Sequence, residues 1–250
     1  MSNHNIRIKR LKKSAGRDKS GHISIRHRGG GAKRLYRAIE TLDNFLNQKA
    51  KVIAVEYDPN RSANLALLQL ASGRKIYVLA AEGLKIGQEI EAGEKVALTP
   101  GNRLPLKNIP SGLAIFDLEM QPRSGAKIVR SAGLRAIILA KEAGTPYVQV
   151  KLPSGEIRRF HGDCFATIGT VSNPSHMTQK ISKAGIRRWL GKRPTVRGKA
   201  MHPASHPHGG GEGVNPIGLK YPKTPWGKPA RGKKTRKNKP SDKMIIKRRK

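Results

Sequence analysis

Lys51-Val52-Ile53-Ala54-Val55-Glu56-Tyr57, closed by Asp58-Pro59-Asn60, is the stretch that decides the fold. A β-branched run that stops at turn-forming residues reads as a strand followed by a tight reversal, not as helix. Working outward, Asn64–Leu70 is a second apolar run, and Ser72-Gly73 turns the chain into Lys75-Ile76-Tyr77-Val78-Leu79. Leu84–Ile90 and Lys95–Leu98 extend the series. Turn signals recurring about every 8–12 residues favour a small antiparallel barrel over βαβ units.

Pro100-Gly101-Asn102, Pro105 and Pro110-Ser111-Gly112 then cluster breakers and mark a domain boundary. The β pattern resumes with Leu113–Leu118, Ala126–Val129, Leu134–Ala140 and Pro146–Leu152. Pro153-Ser154-Gly155-Glu156 makes a hairpin-type turn into Ile157–Phe160, and a second small barrel ends near Val171. Neither half shows a long amphipathic helix, which disfavours an enzyme of the parallel α/β type. Ser182–Leu190 has the length and ends of a short helix, with Ser182 as N-cap and Gly191 past its end. The expected plan is mainly β: a basic arm over residues 1–30, one barrel over 31–105, a second over 106–180, and an irregular basic extension over 181–250.

Charge is segregated along that plan. The formal net charge is +35, yet residues 41–120 balance nine Lys/Arg against nine Asp/Glu. Residues 181–250 hold twenty-one Lys/Arg against two acids, with ten Gly and eight Pro. Ordering backbone costs ~1–2 kcal/mol per residue. A segment whose apolar residues are scattered without period cannot recover that cost from its own side chains. Such ends repel themselves and take their shape from a polyanion, most simply nucleic acid. Cys164, the single cysteine, excludes an internal disulfide and any zinc site needing two thiolates. No apolar run approaches the ~20 residues of a membrane span, and nothing after Met1 reads as a signal peptide. Ser2–Ser14 is basic but has no apolar face at helical spacing, so it reads as an RNA-binding arm and not as a transit peptide.

The most distinctive string is His206-Pro207-His208-Gly209-Gly210-Gly211-Glu212-Gly213. Its glycines permit a tight path and close approach of backbone N–H groups to phosphate. No Gly-Lys-Ser/Thr follows, so it is not a nucleotide-binding loop of that type. Metal binding through His202, His206 and His208 would have to overcome the surrounding positive charge. A general-base role for His208 lacks a nearby nucleophile, and Glu212 is the one local carboxylate. The reading preferred here is that the imidazoles stack on or hydrogen-bond to RNA, while Glu212 pairs with a cation or a base edge. Arg26-His27-Arg28-Gly29-Gly30-Gly31-Ala32-Lys33-Arg34 again joins cations to a triple glycine, suited to close contact with folded RNA. Gly232-Lys233-Lys234-Thr235-Arg236-Lys237 is closer to a generic polycation. Trp189 and Trp226 are candidates to stack on bases, while Trp189, on a short helix, is equally suited to pack on the second barrel.

Several segments resemble the universal L-two family of large-subunit ribosomal proteins, of the bacterial and organellar type. They are Lys13-Ser14-Ala15-Gly16-Arg17, the Arg26–Gly31 run, Glu56–Ser62, Gly101-Asn102 with Leu104-Pro105-Leu106, and Asn108-Ile109-Pro110. Arg130–Gly133, Asp163-Cys164, Ala166–Gly169, Arg193–Gly198, and His206–Gly213 followed by Thr224-Pro225-Trp226-Gly227 continue the match in order. The resemblance implies an OB-like barrel followed by an SH3-like barrel, with both tails threaded into large-subunit rRNA. It implies a non-enzymatic structural constituent near the peptidyl transferase centre, supporting assembly, subunit association and tRNA binding. It further implies neighbouring ribosomal proteins, the small subunit at the interface and, indirectly, tRNA as partners, and no membrane.

On this reading the rRNA-binding side chains are Lys12, Lys13, Arg17, Arg26, His27, Arg28, Lys33, Arg34, Arg61, Arg187, Arg188, Arg193, Arg197, His206, His208, Lys233, Lys234 and Arg236. The loop near the centre comprises His206, His208, Gly209, Gly210, Gly211 and Glu212. The family's histidines have been suggested as catalytic; here they are read as supporting RNA that performs the chemistry. No cofactor is expected beyond magnesium ions shared with rRNA. Bacterial members usually have a longer N-terminus, and here Ala32 replaces a common His and Phe165 a usual Arg. The short start and Ala32 look more like organelle-encoded members, pointing to the mitochondrial matrix over plastid stroma or bacterial cytoplasm. The rival readings are a free nucleoid protein and a His208-dependent hydrolase or acyl-transferase.

Overall fold

The computed structural model describes residues 8–249; residues 1–7 of the expected arm and the last residue of the extension lie outside the described residues. The fold is mainly β, in antiparallel sheets. Ile8–Arg10 (β1) pairs with Leu35–Arg37 (β2), so part of the expected arm is already strand-bound. The deciding run forms Lys49–Glu56 (β3), the centre of a sheet with Leu65–Leu70 (β4), Lys75–Leu79 (β5) and Glu89–Glu91 (β6), in the order β5-β4-β3-β6.

Two expected strands are shortened or absent. Over Leu84–Ile90 only the end enters β6, because the Gly87 N–H folds back to the Val52 carbonyl at 2.8 Å. Lys95–Leu98 is not a strand. The Thr99 N–H and the Asn102 side chain both bond the Ala97 carbonyl, each at 2.9 Å, taking the acceptor a ladder would need.

The second sheet contains Arg103–Pro105 (β7), Ala114–Phe116 (β8), Ala136–Lys141 (β11), Tyr147–Lys151 (β12), Ile157–His161 (β13), Phe165–Ile168 (β14) and Ile245–Lys247 (β15). Their order is β15-β13-β12-β11-β8-β14-β7, while Leu118–Glu119 (β9) and Ala126–Ile128 (β10) pair separately. β7 sits within the stretch read as the end of the first barrel, but it pairs with β14 through Leu104↔Ala166. β15 adds to the edge of β13 through Ile157↔Lys247 and Arg158↔Ile245, so the chain's last segment is anchored as a strand.

β4 and β5 are buried on both faces, which explains why Leu65-Ala66-Leu67-Leu68 shows no polar alternation. Successive strand residues point to opposite sides. Leu65, Leu67, Tyr77 and Leu79 therefore pack with Ile115, Phe116, Ile138 and Val150 of the second sheet. Ala66, Leu68, Ile76 and Val78 fill the first barrel with Val52 and Ile90. Full burial of each such Leu or Ile contributes about 1.5–3 kcal/mol.

Arg103, only 2 % exposed, ties the Leu42–Phe45 turn beside the first sheet to the second sheet. Its guanidinium is bidentate on Asp43, donates to the Asp117 carbonyl at 2.6 Å and reaches the Thr167 hydroxyl at 3.2 Å. Burial pushes the Asp117 carboxyl up, while Arg103 and then Arg130 pull it down.

By its contacts the chain divides into two compact units, the first comprising residues 8–12, 33–180 and 240–249 with the sheets described above. The second comprises Lys13–Ala32 and Ile181–Lys239. Its helix, Ala184–Trp189 (α1), starts after Lys183, not at the expected Ser182, and no side chain caps it. Among the described residues no helix is long and apolar enough to cross a membrane.

Candidate nucleic-acid interface

The second unit joins the two segments that the sequence marks as most cationic, and it holds twenty-one Lys/Arg against two Asp/Glu. Among the described residues none of its apolar side chains is buried. Backbone bonds hold it instead. The Gly29 N–H donates to the Gly191 carbonyl at 3.0 Å, the Ala32 N–H to Trp189 at 2.9 Å, and the Arg193 N–H to His27 at 3.0 Å. Lys13 Nζ donates to the Gly31 and Ala32 carbonyls at 2.5 and 2.8 Å. His27 Nδ1 lies 3.0 Å from the Pro194 carbonyl, which fixes the proton on that nitrogen.

This pairing gives the triple glycine a reason within the chain. A Cβ on Gly31 would stand 2.9 Å from Gly191 Cα and from the Trp189 carbonyl oxygen, so the two strands of chain cross where no side chain fits.

Around this crossing Arg17, Arg26, Arg28, Arg188 and Arg193 line a hollow of about 430 Å³. None of these five side chains makes an ion pair or hydrogen bond among the described residues. Of the unit's two acids, Asp18 accepts the Ser20 and His22 N–H groups at 2.9 and 3.0 Å. The Glu212 carboxylate is exposed and has no partner among the described residues, so the chain does not supply the cation expected for it. Converging guanidiniums without carboxylates form a site for polyanion oxygen.

The histidine loop is built from its own backbone. The His202 carbonyl occupies the place a Gly209 side chain would take. The Gly209 N–H bonds the His206 carbonyl at 2.8 Å and the Gly210 N–H bonds Met201 at 3.2 Å. His206 is buried, and its Nδ1 accepts the His208 N–H at 3.0 Å. The two rings meet edge-on at 4.7 Å, and His208 Nε2 accepts the Lys223 N–H at 2.8 Å. His208 is held below its ordinary pKa, first by burial and then by His206 and Lys223. Each ring therefore spends its basic lone pair on a main-chain donor and keeps only an N–H to offer.

The other predicted contacts are dispersed. Lys12, Lys33, Arg187, Arg197, Lys233, Lys234 and Arg236 are exposed, and Arg34 is half-buried. Arg61 is engaged internally, donating to Asp58 at 2.6 Å and to the Arg37 carbonyl at 3.2 Å. Cys164 is buried, and its thiol is pushed up to about 12, chiefly by burial, which makes it a poor nucleophile. Among the described residues no three His, Cys, Asp or Glu side chains are placed to share a metal ion.

Sequence reasoning named all five arginines of the hollow but missed its apolar neighbours Ile25, Val196 and Met201. The available signal was apolar residues isolated inside basic runs, as in Ile25-Arg26 and Val196-Arg197. Trp189 and Trp226 are 66 % and 73 % exposed.

Residues 5–92 match the family model described as Ribosomal Proteins L2, RNA binding N-terminal domain. Residues 99–227 match that described as Ribosomal Proteins L2, C-terminal domain.

Proposed function

The chain belongs to the family of ribosomal proteins L2, RNA-binding constituents of the large ribosomal subunit, and from that premise we propose where and how it acts. It is embedded in large-subunit rRNA near the peptidyl transferase centre, where it supports subunit assembly, subunit association and tRNA binding. Its neighbours are other ribosomal proteins and, at the interface, the small subunit. The observation that carries this reading is the second unit: a cationic body in which, among the described residues, no apolar side chain is buried and five arginines around one hollow have no ion pair or hydrogen bond. A polyanion of fixed shape completes such a body.

Peptide-bond chemistry belongs to the RNA. His206 and His208 use their acceptor nitrogens to hold the loop, so their role is architectural, and Glu212 is left to meet an exposed base edge. Ala32, after the triple glycine, favours the mitochondrial matrix as the compartment.

Sedimentation of a lysate combined with RNA footprinting tests the reading. The chain should travel with the large subunit at salt concentrations that strip simple polycations, and its protections should fall within large-subunit rRNA. A chain that spreads over all nucleic acid and dissociates at moderate salt is a nucleoid-type binder, and the reading fails.

A further inference from the structure

Beside the arginine hollow, and sharing Ile23, Ile25, Arg26 and His27 with it as a common wall, lies a second hollow of about 530 Å³. It holds one arginine, Arg26, against the first hollow's five, and adds Val196, Met201, Pro225 and Trp226, with the buried His206 ring among them. Ile25 and Val196 are more than half exposed, at 53 % and 55 %, two apolar side chains left open in a cationic unit. Arg26 lies over the Trp226 ring, 5.4 Å from its centroid, and most of the ring's remaining surface is open. A guanidinium fixed on one face of an indole makes a rigid stacking platform. The volume lies within the roughly 300–1,000 Å³ of sites that enclose a small ligand and is too small for a duplex.

We propose that this hollow receives one unstacked base of folded RNA, stacked against Trp226, while Arg17, Arg28, Arg188 and Arg193 next door hold the flanking phosphates. The inference rests on the RNA-binding reading and adds the ligand of the site. Charge complementarity selects the occupant. A nucleotide carries phosphate anion and aromatic plane in a single residue, whereas a protein segment would need several carboxylates and a separate aromatic side chain placed together to fill both hollows. RNA offers such bases in loops and bulges, where they are free to turn out of the stack. His206 suits the floor of the pocket, because its Nδ1 is occupied by the His208 N–H and its remaining N–H can donate to a base edge.

The test uses the full chain and transcribed large-subunit rRNA, read at nucleotide resolution by base-directed methylation and by backbone cleavage with hydroxyl radicals. The wild-type chain should protect the base of one unpaired nucleotide inside a stretch of protected backbone. Trp226→Ala should lose that base protection, keep the backbone protection and weaken binding by about 5- to 150-fold. Trp226→Phe should restore the base protection. Arg17→Gln or Arg193→Gln should lose backbone protection beside the same nucleotide and reduce the salt slope by about one contact each. Trp226 is exposed, so its replacement leaves no cavity. If Trp226→Ala binds with unchanged base protections, the pocket is overturned while the RNA-binding reading stands. If the wild-type chain protects no rRNA, both fall together.

Discussion

Replacing Arg103 with alanine would strip Asp43, the Asp117 carbonyl and the Thr167 hydroxyl of one shared donor set inside the first unit. Removing one member of a buried ion pair leaves its partner uncompensated, at a cost of about 3–5 kcal/mol. Arg103→Ala should lower the denaturation midpoint accordingly. Arg103→Lys should recover less than half, because an ammonium cannot be bidentate on Asp43 and also reach two further oxygens. An unfolding free energy within about 1 kcal/mol of wild type would show that Arg103 does not clasp these groups. Nothing local announces this residue: Asp43 is 60 positions away and Asp117 is 14 away, and an arginine in so basic a chain reads first as an RNA contact. His208 allows a second test. Because its native pKa is depressed, the unfolded loop binds the proton first as pH falls below the ordinary value of about 6.5. The stabilisation is complete above that pH and is lost on acidification towards and through the native value. The protection of the Lys223 amide, which donates to His208 Nε2, measured by hydrogen exchange and corrected for the base catalysis of free amide exchange, should therefore fall between about pH 7 and about pH 5. A protection factor indifferent to pH over that range counts against the coupling.

Among the elements, β3, β5, β12 and β13 were legible because each is an alternating or β-branched run ended by turn residues, and the short-range pattern already contains their cause. Pairing between distant segments was not legible. β15 is three residues long in a basic tail, and its partner β13 lies more than eighty positions earlier. An isolated Met244-Ile245-Ile246 between lysines carries no strand signal until an open edge is known. Removing residues 240–250 uncovers the β13 edge and its row of main-chain groups, which invites pairing between molecules. The truncated chain should melt at lower temperature and scatter light on warming in proportion to its concentration. Val150↔Arg158 pairing inside the sheet should persist in its exchange protection. Identical melting and no scattering would show that β15 merely rests on the edge. The triple glycine teaches the same lesson: its composition signalled a close approach, but only the crossing at Gly191 shows that the chain itself is one of the surfaces approached.

For the whole molecule, the contrast is between a first unit with layered apolar clusters and a second with none among the described residues. The charge count alone makes that contrast visible, since a run with twenty-one bases and scattered apolar residues has no means of offsetting its ordering cost. What charge alone did not reveal is that the two basic segments are stitched to each other by specific bonds, such as Gly29 to Gly191. Such bonds are individually worth about 0.5–1.5 kcal/mol, and here they oppose the mutual repulsion of the cations. Hydrogen exchange on the RNA-free full chain should show slow amides in β4 and β12 and fast ones at Gly29, Ala32 and Arg193. Binding transcribed large-subunit rRNA should slow those three amides by orders of magnitude and leave β4 nearly unchanged, because the phosphates neutralise the repulsion that was opening the crossing. Raising salt without RNA should give only part of the effect, since screening removes repulsion but supplies no surface. If Gly29, Ala32 and Arg193 exchange as slowly without RNA as the centre of β4, the second unit is stable by itself and the polyanion is not what orders it.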